Sequence, residues 1–381
     1  MKNPIDLAAE AAAFADQYQM LPQGSTVLCA VSGGKDSMAL LSVLQTLAPE
    51  RNLMIHAAHF NHQLRGEESQ RDEDFVSKWC ADHNIPLTIG SGDVAQAAQE
   101  QGKGIEETAR AMRYGFLTET AQEVGAEKIA TAHNADDNAE TVLLHLVRGS
   151  GLDGLTGIPP VRGILIRPLL GVPRIDIEVY LAQENIPHVE DSSNQDTKFA
   201  RNRIRQAILP VMKDLNPAFV STLSANLVHL REDRELLHDM AESVTCEAAS
   251  LADLPHPIAA RAVKQLLAKA GRFQVSAVHI DQIIELATGE TPSANLNLPE
   301  GLFAWREYEN LVICPAEAIP PSFSLRLLTG PGVFALDNGW QIEIEETTCP
   351  EIPAQEEYEW DIDRESVTFP LVLRARQQGD Q

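Results

Sequence analysis

Val27-Leu28-Cys29-Ala30-Val31-Ser32-Gly33-Gly34-Lys35-Asp36-Ser37-Met38-Ala39-Leu40-Leu41 decides how the rest of the chain is read. It opens with an apolar run containing β-branched residues, the composition of a strand buried in a parallel sheet. Two glycines follow. Behind Asp36 and Ser37, residue types favoured at a helix start, an apolar-periodic run begins. A strand that passes through a small-residue turn into a helix leaves the first N–H groups of that helix unpaired and converging on one spot. The helix dipole adds partial positive charge there, so the spot suits a phosphate. Gly33 and Gly34 let the backbone approach the anion closely, where any Cβ would stand in the way.

A Walker loop requires G-x-x-x-x-G-K-[ST]. Here Asp36 follows Gly34-Lys35, and Cys29 stands where the first glycine should be. That reading fails. Ser32-Gly33-Gly34-Lys35-Asp36-Ser37 instead resembles the PP-loop of the ATP pyrophosphatases, which hold the β,γ-pyrophosphate of ATP and cleave between its α and β phosphates to make an adenylate. The competing reading is a glycine-rich turn that binds nothing.

The chain has 381 residues, 44% of them hydrophobic, enough for two or three domains each with its own core. Apolar runs are short and broken by charges, so none is expected to span a bilayer. The start, Met1-Lys2-Asn3-Pro4-Ile5-Asp6, lacks the apolar centre of a signal peptide. Cys29, Cys80, Cys246, Cys314 and Cys349 are scattered without a C-x-x-C pair, which argues against zinc, an iron–sulfur cluster or a disulfide framework. A cytoplasmic protein without a membrane partner is the expectation. The net charge of −25 argues globally against nucleic acid. Locally the balance reverses: Lys198, Arg201, Arg203, Arg205 and Lys213 fall in one stretch without an acid between Lys198 and Lys213. Such a run is usually a solvated face; in this acidic chain it points to a polyanion.

Around the opening stretch, helices are expected over 4–20, 36–47, 68–83, 105–124 and 136–148, and strands over 53–60, 85–89 and 128–132, with 90–104 as loop. This is the pattern of a doubly wound α/β fold with a mainly parallel sheet, whose ligands bind at the carboxyl ends of the strands. Three segments fall at that edge. His59-Phe60-Asn61-His62-Gln63-Leu64-Arg65 follows the second strand. In the helix Glu106 to Tyr114, Arg110 and Arg113 lie three apart and share a face that could reach one anion. In the segment His133 to Thr141, Asp137 and Glu140 also lie three apart, two carboxylates suited to Mg²⁺ or a substrate ammonium. Each has a plainer alternative: a hydrogen-bonded strand-end histidine for His133, a helix cap for Asp136 or Asp137, surface ion pairs for the arginines. Gly149-Ser150-Gly151-Leu152-Asp153-Gly154 matches the dinucleotide fingerprint G-x-G-x-x-G. It follows a helix rather than a strand, and Pro159-Pro160 ends the region, so it reads as a substrate loop. Residues 218–287 are helical in pattern, and β-like alternation returns at 295–312, 323–327 and 341–344.

Taken in order, the PP-loop, the His59–Arg65 segment, the Glu106–Tyr114 helix, the His133–Thr141 segment and Arg148-Gly149-Ser150-Gly151-Leu152-Asp153-Gly154-Leu155 resemble the bacterial tRNA(Ile)-lysidine synthetase family. Arg167-Pro168-Leu169-Leu170, Asp191-Ser192-Ser193-Asn194 and Arg201-Asn202-Arg203-Ile204-Arg205 extend the resemblance, which is dense over about residues 22–213. It implies an ATP-dependent ligase that adenylates the wobble cytidine of a tRNA(Ile) with a CAU anticodon. The ε-amine of free L-lysine then displaces AMP, forming lysidine and changing codon recognition from AUG to AUA.

By that resemblance Ser32, Gly33, Gly34, Lys35, Asp36 and Ser37 bind ATP, with Asp36 also a candidate for Mg²⁺. Arg113 and His133 face the nucleotide or adenylate. Asp137 and Glu140 orient the lysine ammonium groups, and Arg201, Arg203 and Arg205 contact RNA. A homodimer is one admissible assembly. The implied organisation is a PP-loop catalytic domain over 1–215, a mainly helical connecting or tRNA-binding domain over 216–318, and a β-rich segment over 319–381. The end, from Leu371 to Gln381, resembles the opening of the longer members' final domain and then stops, implying an incomplete domain and a dangling β segment. Two rivals come from the same superfamily. A cytidine thiolase generally carries paired cysteines, which this chain lacks. A small-molecule ligase is disfavoured by the basic stretch and by the lack of a recognisable glutaminase domain. A non-catalytic binding module is disfavoured by Asp36, Asp137 and Glu140.

Overall fold

Short strands alternate with helices through the first half of the chain in a computed structural model of the protein. The structure describes residues 5–374 apart from 65, 191–199, 245–247, 272–274, 290–292, 308, 316–323, 338 and 348–360. Two compact units divide the chain, Met1–Arg234 and Glu235–Gln381.

The first unit begins with α1 (Leu7–Gln17), β1 (Thr26–Ala30), α2 (Lys35–Arg51), β2 (Met54–Asn61), α3 (Glu67–Asp82) and β3 (Leu87–Ser91). It continues through α4 (Val94–Gln101), α5 (Ile105–Glu123), β4 (Lys128–Ala130), α6 (Ala135–Val147) and the single turn α7 (Leu152–Leu155). The hairpin β5 (Val161–Arg162) and β6 (Leu165–Ile166) precedes α8 (Arg174–Gln183). The strands form one sheet in the order β3-β2-β1-β4-β6-β5, parallel throughout except for the β5–β6 pair.

β1 is central, with Cys29 paired to Ala57 of β2 on one side and to Ala130 of β4 on the other. Alternate β1 residues enter different cores. Val27 and Cys29 pack with Leu7, Met38, Leu41, Leu44 and Ile177, whereas Leu28 joins Leu117, Ala121 and Ile129. Helices therefore cover both faces, and each fully buried leucine contributes about 1.5–3 kcal/mol. The chain first winds outward from β1 to β3, then returns to place β4 on the opposite side of β1. Strand order reverses between β1 and β4, and the crevice outside such a reversal is where open α/β sheets bind ligands.

One expectation is corrected. Residues 90–104 are not all loop, because α4 forms within them. The Asp93 carboxylate caps it by accepting from Gln96 N at 2.9 Å. Val94 and Ala98, four apart, are buried, and Gly102 ends the helix at φ 62°.

The basic stretch is helical. α9 (Ala200–Arg203) runs through a π-helical turn, Ile204–Ile208, into α10 (Leu209–Leu215). Leu209 N reaches back five residues to Ile204 O. Pro210 comes next and has no N–H for the usual four-residue bond, which suits a wide turn just before it. The unit closes with the opening part of α11 (Phe219–Glu242).

The second unit starts within α11 and adds α12 (Ala248–Ala252), α13 (His256–Lys269) and α14 (Ala277–Thr288). An antiparallel sheet follows, β7 (Ser293–Leu298), β8 (Leu302–Glu307) and β9 (Asn310–Pro315). Val263, Leu267, Ile283, Leu302, Ala304 and Leu311 share its core. Two further antiparallel pairs complete it. β10 (Arg326–Leu328) pairs with Leu371–Leu373, and β11 (Gly332–Ala335) pairs with β12 (Gln341–Ile344). The strand Leu371–Leu373, β13, is thus paired rather than dangling; residues 375–381 lie outside the described residues. Among the described residues no helix is long and apolar enough to cross a membrane.

Candidate active site

The turn after β1 is built for an anion. Gly33 sits at φ 88°, and a Cβ there would stand 3.0 Å from Val189 Cγ2 and 3.3 Å from Val76 Cγ2, so both its backbone angle and its surroundings require glycine. Val189 N donates to Gly33 O at 2.9 Å and fixes the turn from outside. Ser37 fixes it from inside: its buried hydroxyl donates to Gly34 O at 2.9 Å and accepts from Ser32 N at 3.2 Å. No side-chain oxygen caps α2, whose N-cap is Gly34. The first-turn N–H groups of α2 thus keep their capacity to hold a phosphate. Lys35 Nζ lies 3.1 Å from Glu178 Oε1 of α8, a half-exposed pair.

The neighbouring strand β4 delivers the second part of the site. Asn134 caps α6 in a reciprocal capping box with Asp137. Asp137 N donates to Asn134 Oδ1 at 3.0 Å, and Asn134 N donates to Asp137 Oδ2 at 3.1 Å. The helix-cap reading of Asp137 is therefore correct for one oxygen. Its other oxygen, Oδ1, lies 3.1 Å from both Arg174 Nη2 and Arg205 Nη2. Glu140, one turn along and with 0% exposure, is gripped by the same helices. Arg205 Nε reaches Glu140 Oε1 at 2.6 Å, and Arg201 Nε reaches Oε2 at 3.0 Å. Asp136, beside this pair, is equally engaged, by Arg174 N at 2.8 Å and Lys213 Nζ at 2.5 Å. Burial opposes the Arg205 charge, but the hydrogen bond and charge of Glu140 outweigh it and hold its pKa above the ordinary value.

The two parts meet at one bond. Asn134 Nδ2 donates to Asp36 Oδ1 at 3.0 Å. Burial, and then the nearby Asp137 charge, push the Asp36 carboxyl above its ordinary pKa, while Arg174, Asn134 and Arg205 pull it down. His133, the residue before Asn134, has Nδ1 3.1 Å from Thr131 Oγ1. Burial and the charges of Arg167, Arg201, Arg113 and Arg110 push its pKa down to about 3.

The fold thus gathers Asp36, His133, Asp137, Glu140, Arg201 and Arg205, with Arg113 close enough to act on His133. Arg203, on the same stretch as Arg201 and Arg205, is exposed and lies outside the cluster. Arg65, Asp191-Ser192-Ser193-Asn194 and Lys198 fall outside the described residues. The loop at 149–157 contains α7 and is tied down: His145 Nδ1 lies 2.7 Å from Gly154 O, and Ile158 N donates to Asn138 Oδ1 at 2.7 Å. Sequence reasoning overlooked Arg174. Its only local signal is a cation in the first turn of a helix, where the dipole disfavours one.

The PP-loop domain family matches residues 7–212, and the TilS substrate binding domain family matches residues 247–312. A tRNA(Ile)-lysidine synthase of Geobacter sulfurreducens is 34% identical over 400 residues, covering 99% of this chain and 84% of that protein. One from Geobacillus kaustophilus is 33% identical over 389 residues, covering 97% and 83%. One from Thermotoga maritima is 48% identical over 198 residues, covering 52% and 48%. With a pyrophosphate-type turn after β1, a carboxylate pair after β4, and relatives aligned along nearly the whole chain, this protein belongs to the tRNA(Ile)-lysidine synthase family.

Proposed function

We propose that the chain joins L-lysine to the wobble cytidine of an isoleucine tRNA with a CAU anticodon, with consumption of ATP. In the first step the cytosine C2 oxygen attacks the α-phosphorus; an O–P bond forms, the bond to the β-phosphate breaks, and pyrophosphate leaves. In the second the lysine ε-amine, having lost a proton, attacks C2 and AMP departs with the former C2 oxygen. Adenylation is needed because an amide-like oxygen is a poor leaving group until it is joined to phosphate.

The observation that carries this reading is the Asn134–Asp36 hydrogen bond, which ties the pyrophosphate-binding turn to the carboxylate pair. The amides of Gly33 to Ser37 hold the β,γ-pyrophosphate and steady its charge as it leaves. Asp36 fits a Mg²⁺ ion: it stands in the first turn of α2, beside the phosphates, and Asn134 gives it its one side-chain hydrogen bond among the described residues. Magnesium takes one or two carboxylates together with substrate phosphates, and when bound neutralises charge on the leaving group.

Free lysine carries both signs of charge, and so does the cluster that receives it. Asp137 and Glu140, themselves paired with Arg174, Arg201 and Arg205, orient its ammonium groups. In this reading residues 1–215 carry the chemistry, 216–318 form a connecting and tRNA-binding part, and 319–381 a β-rich segment.

The test is transfer of radiolabelled lysine into acid-precipitable tRNA(Ile) with ATP and Mg²⁺. Incorporation should vanish without ATP, when the wobble cytidine is replaced, and with Asp36→Ala. Pyrophosphate release that depends on tRNA but leads to no lysine incorporation would overturn the assigned nucleophile and favour another PP-loop chemistry, such as thiolation.

A further inference from the structure

Arg201 and Arg205 are occupied by Asp137 and Glu140. A second group of arginines stands at the same sheet edge. Arg110 and Arg113, on α5, bracket the Tyr114 ring at 5.1 and 5.6 Å from its centroid. Arg167 follows β6 at that edge, and Arg162, on β5 opposite Leu165, lies further from it toward the hairpin turn. Ala130 pairs with Ile166, so His133 and Arg167 leave the edge from adjacent strands.

Arg167 is the decisive member. It is 2% exposed, its Nη1 donates to Pro159 O at 2.5 Å, and its buried Nε has no hydrogen-bond partner among the described residues. No carboxylate pairs with Arg110, Arg113, Arg162 or Arg167 among the described residues. A guanidinium buried without a counter-charge is costly, and a chain with net charge −25 has no shortage of acids to supply one. Burial, the first cause in each case, pushes the pKa of Arg167 and Arg113 below the ordinary guanidinium value. The Tyr114 hydroxyl is buried and lies close to both. His133 cannot serve as a competing charge or as an anion, since it stays neutral. Exposure grades inward, from Arg110 and Arg162 at the surface through half-buried Arg113 to Arg167. The four guanidiniums thus run from the surface inward with no carboxylate paired to them among the described residues.

We propose that Arg110, Arg113, Arg162 and Arg167 form a second phosphate site, separate from the turn after β1, with Arg167 as its buried counter-charge. This rests on the reading of the chain as an enzyme acting on ATP and tRNA. Two phosphates of that reaction share the required chemistry: the α-phosphate that passes from ATP to cytidine, and a backbone phosphodiester beside the target base. Phosphate contacts of the second kind would also hold the flipped nucleotide in register without reading its sequence.

Equilibrium binding separates the two sources. A non-hydrolysable α,β-methylene analogue of ATP with Mg²⁺ is titrated into the full chain without tRNA, and tRNA(Ile) is titrated without nucleotide across a range of salt. Arg167→Gln should weaken one of them by roughly tenfold or more, with Arg167→Lys recovering part of the loss. Weakened nucleotide binding assigns the α-phosphate. Weakened tRNA binding, with a salt slope reduced by about one, assigns a backbone phosphate. Arg110→Gln and Arg162→Gln, both at exposed positions, should shift the same ligand, and they decide the matter if Arg167→Gln fails to fold. Normal binding of both ligands by the Arg110 and Arg162 variants and by every folded Arg167 variant would overturn the second site alone. Failure of the unaltered chain to bind either ligand would overturn the enzymatic reading with it.

Discussion

Arg205 grips a fully buried carboxylate through two bonds, Nε to Glu140 Oε1 at 2.6 Å and Nη2 to Glu140 Oε2 at 2.9 Å. Removing one partner of such a pair strands the other charge in a dry environment. Glu140→Ala should therefore cost about 3 kcal/mol of unfolding free energy, read from urea denaturation. Arg205→Ala should cost less, because that side chain is 24% exposed and its loss leaves Glu140 with Arg201. The double variant should be less damaged than the sum of the two, by about 1 kcal/mol or more. Strict additivity would show that the pair is not coupled.

Gly33→Ala should harm both the turn and its ligand. The backbone stands at φ 88°, and the new methyl would meet Val189 Cγ2 at 3.0 Å. We expect a loss of about 1–3 kcal/mol in stability together with loss of the thermal shift that ATP gives the unaltered protein. A variant that kept a full ATP-induced shift would mean that the turn does not hold the nucleotide.

His133 should remain neutral across the working range of pH. Its folded pKa is pushed down to about 3 from the ordinary 6.5, so the unfolded chain binds this proton first as the solution is acidified. Its contribution to stability is complete above the ordinary value and is lost as pH falls from there toward the folded value, the loss reaching about 2 kcal/mol by roughly pH 5. The imidazole C2–H resonance of His133, assigned by comparison with His133→Gln, should stay constant down to about pH 5. The stability of His133→Gln should vary less with pH over the same interval.

Arg203→Glu reverses a charge on the exposed side of α9, away from Asp137 and Glu140. It should weaken tRNA(Ile) binding while leaving ATP binding unchanged, with a salt slope shallower by about one for each phosphate that the variant no longer neutralises. Unchanged tRNA affinity at low salt would remove this face from the RNA surface.

The sheet and its pyrophosphate turn are legible in the sequence because three local signals agree there: a buried strand, a small-residue turn and a helix start. The two carboxylates after β4 are legible too, since a spacing of three fixes a shared helix face. Their counter-ions are not. Arg201 and Arg205 stand out as part of a basic run, but nothing local says that they face inward and Arg203 outward. Arg174 lies 37 residues from Asp137 and meets it only once α8 has folded back. Likewise α4 hides behind a glutamine- and alanine-rich composition; its signal lies at the ends, in Asp93 and Gly102. Asn134 falls in the His133–Thr141 segment with no role of its own legible there, yet it is both a helix cap and the link to Asp36.

The wide turn at Ile204–Ile208 acts as a phase adjuster between two sets of contacts on one continuous helical stretch. Ahead of it, Arg201 is aimed at Glu140; beyond it, Lys213 is aimed at Asp136, one turn nearer the α6 start. A regular helix advances about 100° per residue. Deleting one residue from the turn would swing everything after it by that angle, carrying Lys213 off Asp136 while Arg201 kept its place. The surplus residue lets a single helical segment reach successive turns of α6, so its length is as much a part of the site as any side chain.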